Sequence, residues 1–129
     1  MTNLNDLAVT SLTIGSYSMP EPTVQTLVDS GAITVKHGIA RLNKGSAIAA
    51  TLAAPVAGTD DYKQLLIVAI TAQAHTVTVA EGFGNNPAVE CIIEGEDVAT
   101  FATVIGNSIS LMAYNGAWYI KGLHGVTVA

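Results

Sequence analysis

Charge is scarce in this chain of 129 residues, with 12% charged and 50% apolar side chains, where an ordinary soluble domain carries about 25% charge. So few charges clothe a monomer thinly and point to a symmetric oligomer or a larger assembly. Cysteine occurs once, as Cys91, which excludes an intramolecular disulfide framework and reads as a small buried apolar group. Five bases stand against ten acids, a net charge of −5. Phosphate backbones need clustered cations, so nucleic acid is not an expected partner. The longest strongly apolar stretch, Leu65 to Ile70, is far short of the roughly 18 residues a membrane helix needs, and the Ala-rich stretch from Ala47 is cut by Pro55. The first residues lack the basic segment of a secretory signal and meet Asp6 almost at once. A soluble chain with no membrane partner is expected.

Catalytic signatures are missing too. The sequence has no Gly-x-Ser-x-Gly, no phosphate loop and no dinucleotide fingerprint, and Gly82-Phe83-Gly84 runs into Asn85-Asn86-Pro87 instead of opening a helix. His37, His75, His124 and Cys91 are the candidate transition-metal ligands, and no two lie at zinc-ligand spacing. One copy of His75 or His124 from each of three subunits is a further arrangement that would bind a metal on a symmetry axis. Glu90, Glu94, Glu96 and Asp97 crowd one turn without the spacing of a calcium loop, which favours a solvated acidic turn. The expectation is no enzyme activity, no cofactor and no metal site.

What is present is β-structure. Ser108 to Lys121 form two alternating runs around Asn115-Gly116, the dipeptide that best tolerates the positive φ angles of a two-residue hairpin turn. That turn sets Tyr114 opposite Ala117, Ala113 opposite Trp118, Met112 opposite Tyr119 and Leu111 opposite Ile120. Ile109, Leu111, Ala113, Trp118 and Ile120 then make a core face. Met112, Tyr114 and Tyr119 stand on the other face, where a solvated strand would show charge, and suggest self-association or packing.

Upstream, short β-runs with turn residues between them predict an all-β fold, a compact antiparallel sandwich or Greek-key barrel with an extended N-terminal arm. Ala32 to Lys36 is expected to turn at His37-Gly38 into Ile39 to Leu42. Gln64 to Thr71 reads as a strand covered on both faces, His75 to Ala80 as an alternating strand, Val89 to Ile93 as another, and Val98 to Val104 as strand or a single turn. No repeat of fixed period appears. Residues 1–30, with Asn3, Asn5, Asp6 and the Pro20-Glu21-Pro22 breaker, are read as the arm or as a frayed terminus with a short first strand, and residues 31–129 as the β-rich domain. Lys36, Arg41 and Lys44 are the one basic cluster, a candidate docking patch for an acidic protein or a solvated edge that discourages strand addition.

Several segments taken in order look familiar: Leu52-Ala53-Ala54-Pro55 with Gly58-Thr59-Asp60-Asp61, Leu66-Ile67-Val68 with Ala74-His75-Thr76-Val77-Thr78, Gly82-Phe83-Gly84, Asp97-Val98-Ala99-Thr100-Phe101, Ile105-Gly106, and Leu111 to Tyr119. Across residues 30–120 they resemble the capsid decoration (cement) and head-fibre proteins of tailed bacteriophages. The resemblance implies a structural virion protein on the outer capsid surface, a homotrimer at local three-fold axes whose partners are the major capsid protein and itself. It also implies an N-terminal arm that reaches the lattice but assigns no binding residues; Lys36, Arg41 and Lys44, read from their charge alone, are the candidate capsid-docking residues. The alternative is a receptor- or glycan-binding tip of a phage fibre or tail, with Trp118, Tyr119 and Tyr114 as a stacking platform. A small hydrolase is the weakest of the three readings.

Overall fold

Runs of β-branched and small residues, punctuated every few positions by Gly, Asn, Asp or Pro, leave no room for a helix, and the described residues contain none. The computed structural model describes residues 11–14, 17–85 and 97–129. Its strands are β1 (Ser11–Ile14), β2 (Tyr17–Pro20), β3 (Thr23–Leu27), β4 (Gly31–Ile33), β5 (Gly38–Leu42), β6 (Ala49–Leu52), β7 (Gln64–Ala69), β8 (Thr76–Val79), β9 (Val98–Phe101), β10 (Ser108–Tyr114), β11 (Ala117–His124) and β12 (Val126–Val128). They form an all-β sandwich: a front sheet in the order β11-β10-β7-β5-β3 and a back sheet in the order β12-β9-β8-β6-β4, with β1 and β2 as a separate hairpin.

The sheets are mixed rather than wholly antiparallel. In the front sheet β3, β5 and β7 run parallel, as do β4, β6 and β8 in the back sheet. The reason lies in the path: each front strand is followed by a back strand, so β3/β4, β5/β6 and β7/β8 are three successive coils of a short solenoid. The turn expected at His37-Gly38 is therefore a crossing from one sheet to the other, not a hairpin. Gly38 permits the close stacking of the first two coils, because a Cβ there would lie 1.9 Å from the Thr23 carbonyl oxygen at a φ of 139°. After β8 the chain reverses, and β9, the β10–β11 hairpin and β12 complete both sheets in antiparallel fashion.

The β10–β11 turn has Asn115 and Gly116 at φ 47° and 83°, and the four residue pairs next to it are those that a two-residue turn dictates. A bulge opposite Ser110/Leu111 then adds one residue to β11, so Ser110 pairs with Gly122 and Ile109 with Leu123. The extra residue lets Leu123 pack against the core despite its change of parity from Ile120.

One core fills the space between the sheets. Leu42, Leu65, Ile67, Ile109, Leu111 and Trp118 from the front meet Ile48, Leu52, Val77, Val79, Ala99 and Phe101 from the back, each at most 1% exposed. The Trp118 indole N–H donates to the Ala53 carbonyl at 3.0 Å, so the largest core ring leaves no polar atom stranded. The sandwich begins at Thr23, so residues 23–30, assigned above to the arm, supply its first strand. The strand expected at Val89 to Ile93, and with it Cys91, Glu90, Glu94 and Glu96, lies outside the described residues.

Candidate interaction surface

The histidines are dispersed. His75 is fully buried where the β5–β6 and β7–β8 connections meet. Its Nδ1 accepts from the Ile48 N–H at 3.0 Å, and its Nε2 lies 3.0 Å from the Thr71 hydroxyl, which itself donates to the Lys44 carbonyl at 2.6 Å. This network requires the neutral ring with its proton on Nε2. Burial pulls the His75 pKa below its ordinary 6.5, partly offset by hydrogen bonding at Thr71. With both ring nitrogens engaged inside its own chain, His75 is not placed to ligate a metal on a symmetry axis. His37 Nδ1 accepts from the Gln64 N–H at 3.1 Å, and His124 is exposed on β11. Among the described residues no three His, Cys, Asp or Glu side chains come together as a metal site.

Among the described residues the buried carboxylate is Asp60, 2% exposed, in the β6–β7 loop. It receives Lys36 Nζ at 2.8 Å, Lys63 Nζ at 2.7 Å and the Val56 N–H at 2.7 Å. Burial alone would raise its pKa, but the hydrogen bonds from Lys36, Lys63 and Val56 outweigh it and hold the group well below the usual carboxylate range. The arrangement ties the second coil's entry to the loop before β7, a structural task. It also occupies Lys36, while Lys44 pairs with Asp29 at the other end of β5. Lys36, Arg41 and Lys44 therefore do not converge into one patch. Arg41, on β5, is the member with no acidic partner among the described residues.

The two outer faces differ sharply. On the front sheet, the row Val24–Ile39–Leu66–Ser110 crosses four strands, and Gln64–Met112–Tyr119 forms the next row towards the hairpin turn. Tyr114 is half exposed at 46%. Its ring lies 5.9 Å from Tyr62 and 6.5 Å from Tyr119, centroid to centroid. Tyr119 also leans over Gly84, where a Cβ would come within 2.7 Å of the ring, so it is partly covered by its own chain. Lys121 Nζ donates to Gln64 Oε1 at 2.8 Å and borders the patch. On the back sheet the corresponding rows are Ala32–Thr51–Thr78–Val98 and Ala49–Thr76–Thr100–Thr127. A shallow trough of about 580 Å³ runs over Ala32, Thr34, Thr51, Ala53, Thr78 and Ala80, with Lys36 among its lining residues.

Trp118, expected on the core face of the hairpin, is fully buried between the sheets, so it takes no part in the stacking platform that the alternative fibre-tip reading gave it. The ring that joins Tyr114 from outside the hairpin is Tyr62, supplied by the loop before β7 and held at φ 68° with its N–H on the Ala113 carbonyl. Its position two residues before the outward Gln64 was the available signal. Compared with protein-family models, curated proteins and solved structures, the chain matches none.

Proposed function

We propose that this protein is a structural virion protein that binds the outer surface of a phage capsid and stabilises the shell as a homotrimer. The observation that carries the reading is the set of apolar side chains on the outer face of the front sheet, Val24, Ile39, Leu66, Val68, Met112, Tyr114 and Tyr119, among which stand the uncharged polar Thr26, Gln64, Ser108 and Ser110 and the cations Arg41 and Lys121. A face of that composition is stabilised by being covered. Repetition by symmetry turns many weak contacts on a lattice into firm attachment through multivalency. The partners under this reading are the major capsid protein and further copies of this chain, and the location is the virion surface.

The test is the native mass by light scattering, combined with cosedimentation on undecorated capsids. Trimer mass and saturable binding are the expected results, and a monomer at high concentration that leaves capsids bare would overturn the proposal. A second reading, a receptor- or glycan-binding tip module, is favoured by the contiguous rings of Tyr62, Tyr114 and Tyr119. Under it Tyr114→Ala abolishes retention on a glycan column and leaves the native mass unchanged.

A further inference from the structure

Open sheet edges are templates for strand addition, and folded proteins close or shorten them. This sandwich has four. The outer edge of β11 is covered by the chain's own Phe83 to Asn85: Phe83 bridges to Trp118, the Gly84 N–H donates to the Trp118 carbonyl, and the Asn85 side chain bonds both the N–H and the carbonyl of Ile120. At β4 the Gln25 side chain donates to the Ala32 carbonyl and accepts from the Thr34 N–H. The β12 edge is three residues long. That leaves β3, five residues with β5 on one side and no strand on the other among the described residues. The bonds from Thr23 N–H to His37 O and from Asn43 N–H to Leu27 O show that the odd-numbered residues of β3 turn their backbone groups towards β5. Val24 and Thr26 therefore direct theirs outward.

Immediately before β3 stands the β1–β2 hairpin, which belongs to neither sheet. A lone two-stranded hairpin is marginal in water and needs something to pair with. It cannot turn back onto its own β3, because two residues, Glu21 and Pro22, separate β2 from β3. A two-residue hairpin turn favours positive φ, which Pro22 forbids. We infer that the β1–β2 hairpin of one copy adds to the β3 edge of a second copy, β1 lying along Val24 and Thr26. Such a head-to-tail contact closes into a ring when repeated by rotation. The inference rests on the self-association proposed above and names the contact that closes it.

The experiment combines hydrogen exchange on the assembled full chain with two variants. Thr26→Pro removes one outward N–H and spares the β5 ladder, a position where an edge strand tolerates proline; Thr26→Ala keeps that N–H. In the assembly the Val24 and Thr26 amides are expected to be protected, and to lose protection on dilution to the monomer. Thr26→Pro is expected to raise the concentration needed for assembly at least tenfold, with Thr26→Ala unchanged. A Thr13→Cys, Thr26→Cys chain on a Cys91→Ser background is expected to form disulfides between copies. Wild-type oligomers whose Val24 and Thr26 amides exchange freely and whose cysteines do not link would overturn this contact alone. A monomer at every concentration would overturn the self-association reading with it.

Discussion

The two outer faces of the sandwich meet the same folding requirement with opposite surfaces. On the back sheet Thr51, Thr76, Thr78, Thr100 and Thr127 combine the β-branched stiffness that suits a strand with a hydroxyl that water can satisfy. The front sheet uses Val24, Ile39, Leu66, Val68, Met112 and Tyr119 at equivalent positions, which suit a strand equally well but leave apolar surface in water. β-Propensity therefore explains both faces, and the proposed association accounts for the difference between them. Among the described residues the buried polar side chains, His75, Asp60 and Asn107, all sit in loops between strands and not on either face.

Four perturbations separate what the two faces share from what distinguishes them. The largest effect is expected from Trp118→Ala, which empties the core beneath both faces and frees the Ala53 carbonyl. A loss of about 3–5 kcal/mol in denaturant unfolding is the expected outcome. Asp60→Ala strands two lysines that are themselves a fifth to a third exposed, so a smaller loss of about 2 kcal/mol is expected in the same measurement.

Acid comes next. His75 has a folded pKa below its unfolded value, so its contribution is complete above about pH 6.5 and declines as the pH falls through the folded pKa. The melting temperature should drop between pH 7 and 5, and His75→Gln, less stable at pH 7, should flatten that drop. Asp60, also depressed, adds its own loss only as the pH falls below about 4. A slope from pH 7 to 5 unchanged in His75→Gln would assign it to other groups.

The smallest effects on the folded monomer are expected from charge placed on each outer face. Met112→Glu or Tyr119→Glu on the front should weaken self-association or capsid docking, read by light scattering, while the circular dichroism stays that of the intact β-fold. Thr100→Glu on the back should change neither association nor stability beyond about 0.5 kcal/mol. Equal loss of association from the two faces would erase the distinction between them.

The hairpin was legible because everything that fixes it lies within fourteen residues: the turn dipeptide, the alternation and the large-small pairing of Trp118 with Ala113. The all-β class followed from strand-like runs and turn residues in the same local way. The coil was not legible, because its parallel partners are far apart and unevenly spaced. Thr23 meets Gly38, fifteen residues on, whereas Gly38 meets Leu65, twenty-seven on. Loops of unequal length hide such a repeat from any fixed-period search. Asp60 looked like an ordinary turn residue in Gly58-Thr59-Asp60-Asp61, since its burial depends on Lys36 arriving from twenty-four positions earlier. Tyr62 escaped for the same reason, its neighbour Tyr114 being brought to it only by the pairing of β10 with β7.

The crossing of the chain from front to back on every coil has a consequence for how such a protein can change its length. Each circuit contributes one strand to each sheet and leans mainly on the circuit next to it, as in larger stacked-repeat architectures. A whole circuit inserted between β4 and β5 would widen both layers together and leave the closing hairpin, its tyrosines and the first edge as they are. Reach across a surface can thus be lengthened or shortened in whole turns, without redesigning either end.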